Sequence, residues 1–235
     1  MYQDRLGKEV EKETQLAEKM LTYIETPQYL RKTLFKMDPD LQYAGTIPPL
    51  RTPNHPDRQA PKIGSLREGA VIRAEPQSMI EAGFKDLVRV PAPLRLFERV
   101  TIRLTRDTPP LEGEIVEPRG LTIYWGFRVA RGHVSLKEIA RSKKFDLTIS
   151  TSRKGTRIRE VTSTLAMRWK SSKQILVAFG SPGEGIPEIL SRTGGNISEL
   201  MDFNLNTIPD QGVETVRTEE AVWASLSALN LLESE

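Results

Sequence analysis

The sequence predicts an α/β protein carrying an inserted small β-barrel, and three stretches make that prediction. Ile175–Ile186 reads as a buried strand that breaks into a glycine-rich turn, and Asp202–Ala221 as a strand, a polar loop and an amphipathic helix. Two such units in succession set two backbone-rich loops side by side at the C-terminal ends of neighbouring strands. Open α/β sheets hold nucleotide-like ligands at such a place. From Leu66 to Arg131 the pattern changes to short β runs separated by Pro and Gly, the pattern of a small barrel of the oligonucleotide-binding type.

In chain order, residues 8–25 are expected to be helical, because Val10, Ala17, Met20, Leu21 and Ile24 fall on one face. Thr26-Pro27 marks a stop, since the residue before proline avoids helical geometry. A second short helix is expected over Gln28–Met37, with Tyr29, Leu30, Leu34 and Phe35 inward, and then a proline-rich loop over residues 45–64. Strands are expected at Ala70–Ala74, Asp86–Val90, Arg99–Thr105, Glu112–Val116 and Leu121–Val129. Ser135–Ser142 reads as a helix with a capping box from Ser135 to Glu138. There follow a strand at Phe145–Ser150, a polar turn at Thr151–Gly155 and a helix near Ile158–Met167. A strand at Ile175–Phe179, a short helix at Ile186–Ser191, a strand at Asp202–Leu205 and a last helix at Thr218–Leu232 complete the pattern.

Composition narrows the chemistry. With 235 residues the chain can bury a core of its own. It has no cysteine, which excludes disulfides, thiolate zinc sites and a cysteine nucleophile. Its two histidines, His55 and His133, are too few for a histidine-rich metal centre, and no metal is expected. No apolar run approaches the roughly 20 residues of a membrane span, and the charged start Met1–Val10 has no signal-like region. A soluble, cytoplasmic protein is the expectation.

Net charge is only +3 but is unevenly spread. Residues 128–173 hold 13 Lys/Arg against three acids, Glu138, Asp146 and Glu160. Residues 174–235 hold Arg192 and Arg217 against ten acids. A single charge run is ordinarily a solvated surface; a band this lopsided is the electrostatic footprint of a nucleic-acid partner. Tyr124 and Trp125 offer either base-stacking surface or, as alternating strand aromatics, one face of a core.

Three loops are candidates for chemistry. Phe179-Gly-Ser-Pro-Gly-Glu-Gly185 lacks the Gly-Lys-Ser/Thr ending of a triphosphate-binding loop and the Gly-x-Gly-x-x-Gly spacing of a dinucleotide site. Its glycines leave bare backbone, suited to a neutral adenosine. Leu205–Val216 supplies the amides Asn206 and Gln211, able to bond a nucleoside in both directions, with Pro209 stiffening the loop and Gly212 permitting close approach. Thr151-Ser-Arg-Lys-Gly155 sets Arg153 and Lys154 at a strand end inside the basic band, either simply exposed or holding an RNA phosphate.

These stretches, together with Thr26–Arg31, Pro48–Pro56 and Leu121–Gly126, resemble the SPOUT class of RNA methyltransferases, in particular the archaeal and eukaryotic subgroup with an inserted oligonucleotide-binding-like barrel. The resemblance implies a trefoil-knotted α/β domain over residues 1–64 and 136–235, with the barrel at 65–135. It implies S-adenosylmethionine as methyl donor, held by Thr151, Phe179, Gly180, Ser181, Gly183, Gly185, Asn206, Thr207, Ile208, Gln211 and Gly212. Ser181-Pro-Gly-Glu184 is more acidic than the usual loop, so a different affinity is expected. The family pattern also has a strand and helix ahead of the segment matching Met1–Asp4, and an incomplete sheet with an exposed apolar edge is expected from their absence.

The function expected is methylation of structured RNA, ribosomal or transfer RNA, by a homodimer whose face includes Val222, Trp223, Leu226 and Leu229 unless these are core. A sulfonium methyl is already activated, so the enzyme chiefly orients the acceptor and assists loss of its proton. Arg153 and His55 are the candidate catalytic residues, with Asp210 and Glu184 as further candidates for the base. Arg51, Lys154, Arg157, Tyr124 and Trp125 are candidates for RNA contact, and Arg217 for either surface. The alternatives are an RNA-binding assembly protein that kept the fold without catalysis, and a single-strand-binding barrel on an α/β scaffold.

Overall fold

The computed structural model describes residues 8–56, 60–130, 135–181 and 183–233. The expectations that fall on Met1–Asp4, His133 and Pro182 therefore lie outside the described residues. The chain divides into two compact units: one takes Glu13–Arg131, the other the chain on either side of it. The barrel unit thus includes residues 13–64, which the resemblance grouped with the α/β part.

Helix α1 (Lys8–Glu25) and helix α2 (Gln28–Leu34) meet at Thr26-Pro27, as the proline requires. The described barrel strands are β1 (Leu66–Arg73), β2 (Ser78–Glu81), β3 (Val88–Val90), β4 (Arg99–Arg106) and β5 (Leu111–Ile115). They close in the order β1-β2-β3-β5-β4, antiparallel except for the parallel β3–β5 pair. Val71, Ile80, Val88, Val90, Ile102, Leu104 and Leu111 fill the interior.

Five barrel strands were expected, and five form, but with different membership. The expected strand Leu121–Val129 is irregular, whereas Ser78–Glu81 pairs on both sides. The cause is local. Gly126 has φ +81°, outside strand geometry; the Trp125 side chain beside it is held by its indole N–H, which donates to Glu68 Oε1 at 2.6 Å and Thr101 Oγ1 at 3.0 Å.

That indole belongs to a buried polar network centred on Arg99. Its Nη1 donates to Glu25 Oε2 at 2.7 Å and its Nη2 to Glu68 Oε2 at 3.3 Å. Thr101 Oγ1 donates to Glu68 Oε1 at 2.7 Å. Burial works against the Arg99 charge, but Glu25 and Glu68 outweigh it and hold the guanidinium protonated beyond its ordinary range. Burial lifts the Glu25 carboxyl above its usual value, against the opposing pull of Arg99. The network clamps the end of α1 onto β1 and β4, and α2 is tied to the same strand by Tyr29, whose hydroxyl donates to Glu68 O at 2.8 Å.

In the other unit, β6 (Leu147–Arg157), β7 (Ile175–Ala178) and β8 (Phe203–Asn206) form a parallel sheet in the order β7-β6-β8. Helix α3 (Leu136–Arg141) opens with the expected capping box. The crossovers contain α4 (Thr162–Ser171), α5 (Ile186–Arg192) and the short α6 (Ile197–Leu200), and α7 (Thr218–Asn230) follows β8. Leu147, Ile149, Leu165, Leu205 and Leu229 form one core cluster; Ile186, Leu190, Leu200 and Met201 form another. Strand β7 was expected to be buried; three of its four residues are half-buried, because it lies at an edge of the described sheet. No described helix is long and apolar enough to cross a membrane.

Arg99→Met is expected to destabilise the barrel unit by about 3–5 kcal/mol, because it leaves two buried carboxylates without their cation. Urea unfolding followed by Trp fluorescence measures this, and a loss below about 1 kcal/mol would show that the network contributes little.

Candidate functional site: a three-loop cleft at the ends of the parallel strands

The decisive local feature is a bulge inside β6. Thr151 and Thr156 both pair with Leu205 of β8, so residues 152–155 leave the ladder and return to the same register position. The expected turn at Thr151–Gly155 is therefore an excursion within one strand, and the strand runs on to Arg157. Gly155 makes the return possible. A Cβ there would lie 2.6 Å from Asn204 O and from Leu205 C, which is backbone that cannot step aside.

The excursion is fastened to the loop after β8. Asn206 Nδ2 donates to Arg153 O at 2.9 Å, Arg153 Nη1 donates to Glu214 O at 2.8 Å, and Arg157 Nη2 meets Asp210 Oδ1 at 3.0 Å. Asn206 Oδ1 also accepts from Ile208 N at 3.1 Å, and Gln211 Nε2 donates to Val213 O and Glu214 O. Asn206 and Gln211, expected to bond a nucleoside, thus spend these groups shaping their own loop. Thr207 and the fully buried Ser225 share a 2.6 Å hydrogen bond that pins the loop to α7.

The glycine-rich loop is closed by its own residues. Ser181 N donates to Glu184 O and Glu184 N donates to Ser181 Oγ, both at 2.8 Å. Glu184 is further held by Arg192 at 2.9 Å. A Cβ on Gly180 would stand 3.0 Å from Glu184 O and 3.1 Å from Gly185 Cα, so the turn is nearly as tight as at Gly155.

Between these loops lies a cleft of about 340 Å³, within the size range of small-molecule sites. Of the expected cofactor residues, Thr151, Phe179, Gly180, Ser181, Gly183, Gly185, Asn206, Thr207, Ile208 and Gln211 all line it; Gly212 does not. Arg153 and Lys154 line it too, Lys154 with its side chain 78% exposed and 3.9 Å from Glu188. Arg157 and Asp210 pair at its margin without lining it. Sequence reasoning missed Glu188 and Ser225, whose places depend on the packing of α5 and α7, and did not single out Glu214 within the marked loop after β8.

The remaining candidates belong to the barrel unit. Trp125 is half-buried with its N–H engaged as described, and Tyr124 is exposed. The half-buried His55 is bound through Nε2, 2.6 Å from Glu25 O, and burial lowers its pKa. Arg51 is exposed. Among the described residues no group of three or more His, Asp and Glu is placed to hold a metal ion.

A cleft walled by loops from three neighbouring parallel strands defines a ligand-binding α/β protein, and comparison gives its family. Residues 2–229 match the family described as "Putative RNA methyltransferase". A protein of Haloarcula marismortui is 35% identical over 92% of this chain and 80% of its own length. The 28S rRNA (uridine-N(3))-methyltransferases of Mus musculus and Homo sapiens are each 33% identical over 95% of this chain. The chain spans only 60% and 62% of their lengths. The chain belongs to this RNA methyltransferase family, of the SPOUT class expected from its loops.

Gly155→Ala is expected to cost about 1–3 kcal/mol, as overpacking against fixed backbone does, and to loosen the β6–β8 junction. Thermal unfolding with amide exchange at Thr156 and Asn206 measures both. Unchanged stability and protection would show that the bulge can open without cost.

Proposed function

We propose that this RNA methyltransferase uses S-adenosylmethionine, bound in the three-loop cleft, to methylate a uridine of ribosomal RNA at N3. The observation that supports this best is the convergence of ten expected cofactor residues on one cleft. The residue types suit the donor. Glu188 and Glu214 carry negative charge for its sulfonium and ammonium groups, Arg153 and Lys154 carry positive charge for its carboxylate, and Gly180, Gly183 and Gly185 bare backbone to an adenine edge. The donor supplies an activated methyl group. The fold proposed for this grip is the trefoil knot of the class, with the loop after β8 tucked beside the β6 bulge.

The acceptor class is taken from the names of the mammalian relatives. Uridine N3 carries an imide proton; its loss to solvent water leaves a nitrogen lone pair that forms the N–CH3 bond as the S–CH3 bond of the donor breaks and its neutral thioether departs. Arg153, fastened only through Nη1 among the described residues, presents a guanidinium at the cleft wall. A positive charge there stabilises the anion that develops on the base as the proton leaves. The chain's share of the work is thus orientation by the bulge and charge stabilisation by Arg153.

Calorimetric titration is expected to show micromolar binding of S-adenosylmethionine, lost in Gly180→Val. Tritium transfer from the methyl-labelled donor to ribosomal RNA is expected to fall at least 100-fold in Arg153→Ala, well beyond the smaller loss of donor affinity that follows from its place on the cleft wall, the signature of an interaction used chiefly in the transition state. Donor binding with no transfer to any RNA would favour an assembly protein; no donor binding would remove the proposal.

The proposal extends to a homodimer. Leu229 is core, but Trp223 is 78% and Leu226 42% exposed on the same helix, an apolar face left without a described partner. Trp223→Glu is expected to convert a dimer into a monomer in light scattering coupled to gel filtration. A wild-type chain already monomeric at micromolar concentration would dispose of the dimer.

A further inference from the structure

The parallel sheet has a second end. Its C-terminal end carries the three-loop cleft; its N-terminal end carries a cluster of cations to which the methyl transfer gives no role. Residues 141–146 lead into β6 and residues 168–174 into β7, and together they hold Arg141, Lys143, Lys144, Arg168, Lys170 and Lys173 against one acid, Asp146. The two strands pair in parallel from Leu147 and Ile175, so these segments enter the sheet side by side. Asp146 N donates to Gln174 O at 2.8 Å, and Asp146 Oδ2 accepts from Lys173 N at 2.8 Å and Gln174 N at 2.9 Å. These bonds fix Lys173 beside Asp146, and Lys144 stands two residues ahead of it.

The acids at this end do little to cancel the charge. The amides of Gln174 and Lys173 hold the Asp146 carboxyl below the usual range, with a further pull from the Lys173 charge. Asp202 pairs with Arg168 at 3.2 Å and accepts from Thr148 N at 2.8 Å. Glu199 is exposed on the short helix that leads into β8. Arg141, Lys143, Lys144, Lys170 and Lys173 are also exposed, and none of them forms an ion pair among the described residues.

Helix ends account for part of the cluster. Arg141, Arg168 and Lys170 lie in the last turns of α3 and α4, where cations complement the carbonyl ends. Lys143, Lys144 and Lys173 lie past the caps Ser142 and Ser172. Lys143 also has φ +52°, at the position after a helix cap where glycine is preferred. A lysine there carries backbone strain that glycine would avoid, and it holds a charge outward in return.

We infer that the N-terminal end of the parallel sheet, through Lys143, Lys144 and Lys173, is a contact surface for the RNA backbone, separate from the donor cleft. Hydrated, mobile ammonium groups suit a line of phosphates and read no base. Leu147 and Thr151 are about 13 Å apart at the usual strand rise, so phosphates held here belong to RNA flanking the nucleotide that is methylated. The surface adds affinity and orientation and touches no reacting atom. The RNA occupant rests on the proposed substrate; the preference for a polyanion rests on the charge alone.

The experiment uses the whole chain in four forms: unsubstituted; Lys143→Ala with Lys144→Ala and Lys173→Ala; a control with Lys36→Ala, Lys62→Ala and Lys85→Ala, three exposed lysines of the barrel unit; and Lys143→Gly. Affinity for a ribosomal RNA transcript is measured across a salt series, beside the melting temperature of each form. The first triple variant is expected to bind RNA about tenfold more weakly and to lose about 2 to 3 from the slope of log affinity on log salt, three phosphate contacts' worth. In transfer assays the loss is expected as a raised KM for RNA. Lys143→Gly is expected to lose about 0.7–0.9 of slope while its melting temperature holds or rises, a combination that a merely structural lysine would not give.

An unchanged slope in the first triple variant would overturn the surface. An equal loss in the control would trace the effect to net charge and overturn it as well. A lower melting temperature with an unchanged slope in Lys143→Gly would give that lysine a structural role and remove it from the surface. Transfer and S-adenosylmethionine titration with the unsubstituted chain report separately on the cleft: slope losses without methyl transfer would leave the surface standing and remove the enzyme.

Discussion

The cleft depends on one steric constraint: four residues must leave β6 and return to the same partner on β8. Thr151 and Thr156 share Leu205, and only a glycine at 155 lets the returning chain lie against Asn204 and Leu205. Without that close approach Arg153 would not reach Glu214, nor Asn206 the Arg153 carbonyl. The loop after β8 would then lose its fastening, and the wall that faces the glycine-rich loop would open.

A consequence is a division of labour among polar groups. Asn206, Gln211 and one arm of Arg153 bond to backbone and hold loops in shape. What faces the cleft is therefore largely backbone, hydroxyl and the charges of Arg153, Lys154, Glu188 and Glu214. Such a site suits chemistry in which the transferred group arrives already activated. Rigid placement then does most of the work, and the groups that provide it sit on loops tied at several points.

The barrel unit answers a different physical problem. It buries Glu25, Glu68 and Thr101 around Arg99, whose Nη1 and Nη2 are paired with the two carboxylates while its Nε is left without a partner. Arg67, one residue along the same strand from Glu68, points to the other side of the sheet and is not satisfied. Alternation along β1 thus places the Arg99 network on one face and the Arg67 guanidinium, resting on the Phe84 ring, on the other. The first ties the end of α1 to the strands; the second packs a cation against an aromatic ring.

The sequence by itself determined the element types outside the barrel, because periodicity and capping are local: α1, the Ser135–Glu138 capping box and the strands β6, β7 and β8 are legible in it. It also determined the three loops and ten of the residues that line the cleft as cofactor candidates, since glycine, amide and hydroxyl runs stand out against apolar strands. Only the tertiary structure decided that Thr151–Gly155 is a bulge within a strand, because register is a property of two strands and is written in neither. It alone decided that residues 121–130 are not a strand, since Gly126 takes φ +81° and breaks the extended geometry. And it alone exposed Arg67, whose isolation from every described carboxylate depends on which way one strand faces.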